Sequence, residues 1–163
     1  MINDLRFEDG RKINEDKFFL FESIIKSKII VFNGKCKYTY LRRIDSSSNA
    51  RYSSKYLDKN YFSKRILKII NENYPDLYFE AYGDYVTNLL FVFRKLCKQN
   101  ENKLKYFDDY LLLKNEIKNI KLKDLKNLSF IYKIETLFIK IFPAFYIYIV
   151  SFIYIIRKKY WTF

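Results

Sequence analysis

The spacing of apolar residues predicts a chain that is mainly helical. In one segment the apolar positions recur at intervals of four, three, four and three residues: Tyr106, Tyr110, Leu113, Ile117 and Ile120. This is the pattern of a helix with one packed face. The same reasoning predicts helices from Ser53 to about Asn73, over residues 76–99 and over residues 124–141. Pro75 marks the end of the first of these, because the residue before a proline is disfavoured in a helix.

A shorter helix is predicted near the front of the chain. Asn14 precedes Glu15 and Asp16, and an apolar run that begins at Phe18 follows them. Asn is a favoured N-cap, and carboxylates in the first turn suit the positive end of the helix dipole. The pattern therefore predicts a helix from Glu15 to about Lys26 with both acids at its N-terminus.

A pair of β-strands is predicted directly after this helix. Two β-branched or aromatic runs, residues 29–32 and 38–41, flank an Asn-Gly pair, which is the usual signal of a hairpin. The predicted fold class is therefore mainly α with a small α/β N-terminal piece, in which a short helix and two strands precede four to five helices. Three regions are expected: an α/β segment over 1–52, a helical region over 53–142, and a hydrophobic, basic, membrane-contacting helix over 143–163.

The last of these regions has three interpretations. Sixteen residues without a charge run from Ile141 to Ile156, and Arg157-Lys158-Lys159 follows them. A straight helix of that length spans about 24 Å, which is less than a hydrocarbon core of about 30 Å. Tyrosines and Trp161 prefer the headgroup level, and the basic cluster prefers anionic lipid. We favour an interfacial helix, with a short membrane span and the last helix of a soluble bundle as alternatives.

Composition excludes several classes of enzyme. The chain has no His and only three Gly, Gly10, Gly34 and Gly83, which lie far apart. A Gly-rich phosphate loop and every His-dependent triad or zinc site are therefore excluded. The two cysteines, Cys36 and Cys97, lie far apart and suggest reduced thiols in a cytoplasmic protein. The N-terminus also lacks the apolar stretch of a signal peptide.

The formal net charge is +13 at pH 7, and it indicates an anionic partner. The excess of positive charge lies in residues 28–74 and 121–163, so a membrane surface carrying anionic lipid is the expected partner. A codon bias toward Lys, Ile and Asn offers an alternative explanation of the composition. Nucleic acid is the least favoured partner, because the aromatic residues lie at core spacing and no known nucleic-acid-binding motif is present.

Two segments near the N-terminus carry a specific combination of residues. The first is Asp9-Gly10-Arg11-Lys12-Ile13-Asn14-Glu15-Asp16-Lys17-Phe18-Phe19, with Phe7 as a leading aromatic. The second, Tyr38-Thr39-Tyr40-Leu41-Arg42-Arg43-Ile44-Asp45-Ser46, begins about twenty residues further on. Together they resemble two segments of the family 2 glycosyltransferases, the second of which is the Tyr/Arg/Ser segment of that family. The resemblance covers residues 5–50 and implies a partial, GT-A-like, inverting transferase fold.

The resemblance also implies roles for individual residues. Asp16 would be the candidate catalytic base, and Glu15 would orient Asp16 or the acceptor. Arg43 and Arg42 would face the leaving diphosphate, and Ser46 would hydrogen-bond near the same place. The alternatives are that both acids only stabilise the helix N-terminus and that both arginines form a solvated strand end.

The resemblance is to the acceptor-side, C-terminal part of that family. It implies a nucleotide-sugar donor and a divalent metal, but no Asp-x-Asp metal site occurs in this sequence, and we expect the donor-binding half to be absent upstream of Met1. We therefore expect a fragment or remnant of an enzyme that transfers sugar to a cell-surface or lipid-linked glycan, inactive alone, with the donor half as a possible partner chain. The expected location is cytoplasmic, on the inner face of the membrane. The alternative is a small non-enzymatic membrane-associated protein with a C-terminal hydrophobic anchor.

Overall fold

A computed structural model describes residues 5–36, 39, 51–98 and 105–153, together with the backbone of residues 154–160. The helices in these ranges are α1 (Glu15–Lys26), α2 (Leu57–Asn73), α3 (Tyr78–Cys97), α4 (Phe107–Lys118), α5 (Phe130–Ile141) and α6 (Pro143–Tyr160). Short 3₁₀ turns at Ser54–Tyr56, Pro75–Leu77 and Leu122–Asp124 lie before α2, before α3 and after α4.

Helix α3 is the centre of the core. Seven of its side chains are completely buried: Val86, Leu89, Leu90, Val92, Phe93, Leu96 and Cys97. The ring of Phe93 stacks against Tyr110 of α4 and Tyr146 of α6, each at a centroid distance of 5.8 Å. Fully burying one such side chain is worth about 1.5–3 kcal/mol, so these contacts hold α4 and α6 against α3.

A second, smaller cluster joins α1 to α2. Phe18 of α1 stacks on Phe62 of α2 at 5.3 Å. The segment before α1 is held by Arg11, which donates to Asp58 over 2.7 Å and places its guanidinium 3.5 Å from the centroid of the Tyr61 ring. Gly10 forms a turn with φ of 82°, a conformation that glycine adopts without steric cost.

Most of the predicted helices are confirmed. Helix α1 has both of its predicted ends, and α2 stops one residue before the Tyr74-Pro75 bond. The capping prediction for Asn14 is wrong in mechanism, because its φ is 70° and its side chain makes no capping hydrogen bond. The predicted start of the helix over 124–141 is also wrong. A 3₁₀ turn occupies Leu122–Asp124, and the helix begins only at Phe130.

The predicted β-strand pair and the α/β piece are wrong. No strand occurs among the residues that the structure describes. Residues 29–32 are exposed at 65–92% of their surface and join no sheet. The second predicted strand, 38–41, lies outside the described residues except for Thr39. β-Propensity mainly reports fit to a half-buried sheet surface, and an isolated two-stranded hairpin is marginally stable. The mainly α part of the fold class is correct.

Candidate functional site

The structure places the two predicted catalytic acids in the first turn of α1. Asp16 is exposed and Glu15 is half-buried, and a carboxylate oxygen of Asp16 accepts the backbone N–H of Lys17 over 2.7 Å. The other predicted site residues, Arg42, Arg43 and Ser46, lie outside the described residues. The predicted convergence of Asp16 with Arg43 therefore stays a prediction.

Asp16 lies near Lys59 of the neighbouring helix α2. Burial, together with the charge of Lys17, lowers the pKa of Lys59 on α2, while the charges of Asp84 and Asp16 oppose that shift. The ammonium of Lys17 donates to both carboxylate oxygens of Asp84 over 2.7 Å. Within the described ranges no cluster of His, Cys, Asp or Glu suits a metal ion. What the structure offers around Asp16 is thus an open carboxylate beside ammonium groups.

The most prominent surface feature is an apolar stripe on α5. Its exposed members lie at helical spacing and are 44–73% exposed: Phe130, Ile131, Ile134, Leu137 and Ile141. The opposite side of the same helix carries Thr136 and Ile139, which are buried against the core. Helix α5 is therefore apolar on both sides, and the protein core covers only one of them.

Helix α6 repeats this arrangement. Its exposed apolar side, which begins at Phe142 directly before the helix, is 36–68% exposed: Phe142, Phe145, Tyr148, Ile149, Phe152 and Ile153. The inner side carries Tyr146, Ile147 and Ser151, all of which are buried. We call the exposed members of α5 and α6 together the outer face. The two stripes adjoin at Phe138, whose ring lies 6.0 Å from the rings of both Phe142 and Phe145.

The outer face is large for a single chain. Its five aromatic side chains are 56–73% exposed, and at about 200 Å² each they leave about 600 Å² uncovered. With the aliphatic members the outer face reaches about 1,000 Å². The largest apolar patch of an ordinary monomer is about 300–600 Å², and larger ones mark interaction sites.

A buried polar network fixes which sides of α5 and α6 face outward. Arg94 of α3 donates two hydrogen bonds, of 3.0 and 2.7 Å, to the carboxylate of Glu135 on α5. The Tyr146 hydroxyl of α6 donates to the same carboxylate. Burial and the charge of Glu135 raise the pKa of Tyr146. One carboxylate thereby joins three helices. Further along α6, the hydroxyl of Ser151 donates to the carbonyl of Cys97 over 2.9 Å.

The charges along this part of the chain are almost all positive. After Asp124 the only acidic residue in the sequence is Glu135, and that carboxylate is paired with Arg94. The basic residues of the same stretch are Lys126, Lys133, Lys140, Arg157, Lys158 and Lys159. The ammonium groups of Lys133 and Lys140 donate to backbone carbonyls, and neither forms an ion pair with a carboxylate of the described residues.

A membrane-spanning helix is not found in the described part of the chain, where no helix combines the required length with the required apolar character. The inner side of α6 packs on α3 as in the last helix of a bundle, whereas its outer side is uncovered.

A polar cleft of about 380 Å³ lies between α2, α3 and the end of α4. Residues from all three helices and from the 3₁₀ turn Leu122–Asp124 line it. Neither this cleft nor the outer stripe of α5 was predicted from the sequence. The available signal for the stripe was that apolar residues of α5 fall on two sides of the helix, which is typical of a helix that is covered on both sides.

Comparison with known proteins gives no assignment. No protein-family model, no curated protein and no solved structure matches the chain. The resemblance to family 2 glycosyltransferases therefore stays a prediction.

Proposed function

We propose that this protein binds the surface of anionic membranes through the outer face of α5 and α6. The observation that carries the proposal is the uncovered apolar side of two helices whose other sides are buried in the core. Helices of this kind lie in the plane of the interface and bury an apolar side about 5–10 Å into the lipid. Binding strength then follows the buried apolar area and the attraction to anionic headgroups.

Charge favours lipid over a second copy of the chain as the occupant. A symmetric dimer across the outer face would bring together two surfaces that are both flanked by lysines. The carboxylate of Glu135 on each surface is already paired with Arg94. Like charges facing each other disfavour such a dimer. Each Lys or Arg near an anionic membrane surface contributes about 1 kcal/mol of attraction. An anionic bilayer supplies the apolar layer and the opposite charge at once.

The proposed location is the cytoplasmic face of a membrane. The exposed free thiol of Cys36 fits a reducing compartment. The anionic lipids that attract basic surfaces are concentrated in the cytoplasmic leaflet. In this proposal the protein acts as a non-enzymatic, peripheral module rather than as a spanning one.

Vesicle flotation with matched variants tests the proposal. Phe145 is 59% exposed on the outer face, and Phe107 is 55% exposed at the start of α4. Moving about 120 Å² of the Phe145 side chain into lipid is worth up to about 3 kcal/mol. We expect Phe145→Ser to lower partitioning onto phosphatidylserine-containing vesicles at least about tenfold, and Phe107→Ser to leave it unchanged. Binding should weaken with salt, because surface charges are screened.

Two results would contradict the proposal. One is equal loss of binding in Phe145→Ser and Phe107→Ser, which would mean that the apolar contact is not specific to the outer face. The other is equal binding to vesicles of neutral lipid alone, which would remove the role of the positive charge. Circular dichroism of both variants checks that each keeps the helical content of the parent protein.

A second proposal keeps the predicted sugar-transfer role of the first helix. The observation that favours it is the open carboxylate of Asp16, and the missing strand at residues 29–32 counts against it. In this proposal the protein is the acceptor-side part of a glycosyltransferase, and Asp16 contacts a diphosphate-linked glycolipid. Asp108 is a matched control, because it is also exposed in the first turn of a helix, α4. Asp16→Asn should weaken glycolipid binding in micelles about tenfold and Asp108→Asn should not, whereas equal effects would end this proposal.

A further inference from the structure

The cleft between α2, α3 and α4 has the properties of a small-molecule site. Its volume of about 380 Å³ lies within the usual range for ligand pockets. Its lining includes two lysines, Lys64 and Lys121, and two acids, Glu116 and Asp124. Four ionisable groups of both signs thus face one space, and their charges sum to zero.

One end of the cleft is organised by Glu116. The ammonium of Lys64 lies 2.5 Å from one carboxylate oxygen of Glu116, and the hydroxyl of Tyr85 donates to the other over 3.2 Å. The Lys64 side chain is half-exposed, whereas that of Glu116 is mostly buried. An ammonium has three N–H donors, so Lys64 can hold Glu116 and still donate to a ligand.

The other end is formed by the 3₁₀ turn after α4. The backbone N–H of Lys121 donates to the hydroxyl oxygen of Tyr82 over 3.1 Å. That hydroxyl keeps its own hydrogen as a donor toward the cleft. Asp124 lies at the same end, where its charge adds to the effect of burial in raising the pKa of Tyr78. This end therefore places Lys121 and the carboxyl group of Asp124 on the same wall of the cleft.

The cleft adjoins the outer face. The ammonium of Lys140, near the end of α5, donates to the carbonyl of Ile120 over 2.7 Å, and Ile120 lines the cleft. The residue after Lys140 is Ile141, a member of the outer face. A membrane that covers the end of α5 would thus bring headgroups to the mouth of the cleft.

We propose that this cleft binds the zwitterionic phosphoethanolamine headgroup of a lipid. The phosphate contacts Lys64 and Lys121, and the primary ammonium contacts the carboxylates of Glu116 and Asp124. The proposal rests on the membrane-binding function. A plain phosphate would face two carboxylates without a compensating group, and a neutral polyol would not need four ionised partners.

A primary ammonium suits the cleft better than a quaternary one. Quaternary ammonium groups are recognised by the faces of aromatic rings. In this cleft the rings of Tyr78 and Tyr82 stack on each other at 5.6 Å, so one face of each ring is already covered. A primary ammonium has N–H donors for carboxylate oxygens, which these two acids supply.

Titration with the soluble headgroup tests the proposal without any membrane. O-Phosphoethanolamine is titrated into the full chain by heteronuclear NMR, with inorganic phosphate alone and ethanolamine alone as separate arms. We expect the intact headgroup to bind at least tenfold more tightly than either part, with shifts confined to the cleft. Lys121→Gln and Asp124→Asn should each weaken it at least tenfold. Lys123→Gln is the matched control, because Lys123 lies on the same turn, is exposed and does not line the cleft.

Each other outcome overturns the proposal. Phosphate alone binding as tightly as the headgroup would make the cleft a simple anion site. No shift at 20 mM headgroup, or equal weakening by Lys123→Gln, would remove the site. Anionic vesicles with and without phosphatidylethanolamine then separate the lipid from a free metabolite as the source of the headgroup. If the lipid is the source, vesicles that contain it bind the protein more tightly and Lys121→Gln abolishes the difference, whereas equal binding overturns the lipid assignment. Flotation onto anionic vesicles that lack this lipid tests membrane binding separately.

Discussion

Replacing Glu135 with Gln should destabilise the protein more than any exposed acid-to-amide change. The carboxylate of Glu135 receives two hydrogen bonds from Arg94 and one from Tyr146. An amide in the same place has one oxygen acceptor, and its NH₂ group would face a donor of Arg94. The change thus removes a charge and leaves a guanidinium partly unpaired.

The magnitude follows from the exposure of the two partners. Breaking a fully buried ion pair costs about 3–5 kcal/mol. The side chain of Glu135 is only 13% exposed, but that of Arg94 is 36% exposed, so water recovers part of the loss. We expect a decrease of about 2 kcal/mol in the free energy of unfolding, which corresponds to a fall in Tm of about 4–8 °C for a chain of this size.

Urea unfolding followed by circular dichroism measures this decrease. Glu72→Gln is the matched control, since Glu72 forms an exposed ion pair with Lys68 at 3.9 Å and such pairs contribute at most about 0.5 kcal/mol. The same unfolding midpoint for the two variants, within error, would contradict this role of Glu135. Additive effects of Arg94→Met and Glu135→Gln on the free energy of unfolding would also contradict it, because partners in one network must show coupling.

The remaining predictions concern stability and use the same assay. Asn60 is 3% exposed, and neither polar atom of its amide has a hydrogen-bond partner. Asn60→Leu should therefore raise the free energy of unfolding by about 1 kcal/mol. A decrease would mean that the amide is paired. Gly10→Ala should lower the free energy of unfolding by about 1 kcal/mol, because φ at this position is 82°. Gly83→Ala should raise it by about 0.5–1 kcal/mol, because the position is helical and the nearest atom to an added Cβ is 3.7 Å away. Equal effects of the two substitutions would contradict this prediction. Burial and a neighbouring carboxylate raise the pKa of Tyr52, Tyr85 and Tyr146. The fold thus favours the neutral phenols. The stability that these neutral phenols contribute is complete below about pH 10, the pKa of an unfolded tyrosine, and is lost as the pH rises further. Two lysines with a lowered pKa, Lys59 and Lys95, offset part of this loss. The urea midpoint should be level from about pH 7 to 9 and fall above pH 10, and a level midpoint to pH 12 would contradict the assignment.

The helices could be predicted because their signals are local. An acidic first turn with an apolar run placed α1, and Pro75 placed the end of α2. The start of α5 could not be predicted, because Leu122, Leu125 and Leu128 recur at a spacing that 3₁₀ turns share with helices. Leu125 and Leu128 are buried without belonging to a helix.

The strand prediction for residues 29–32 was wrong for a physical reason. β-Branched residues around an Asn-Gly pair specify a hairpin only when another surface covers one side of the strands. The four side chains of this segment are among the most exposed apolar groups of the described chain. A sequence pattern reports what a segment prefers, and the covering surface depends on the rest of the molecule.

The outer face and the cleft were only partly accessible from the sequence. The uncharged run at the C-terminus indicated contact with lipid, but it could not show which side of α6 the core would cover. That choice depends on Tyr146 meeting Glu135 and Phe93, which lie 11 and 53 positions away. The cleft combines Lys64, Glu116 and Lys121 from separate elements. In the sequence each of them is an ordinary charged residue on a helix or turn.

Spin-label accessibility at position 145 tests the membrane-binding account most directly. Nitroxides are placed by Phe145→Cys on the outer face and by Phe107→Cys as a control, each with the exposed Cys36 replaced by Ser. On binding to anionic vesicles, the label at 145 should become accessible to oxygen and protected from an aqueous nickel complex, while the label at 107 stays in water. A label at 145 that remains in water on vesicle-bound protein would contradict the account.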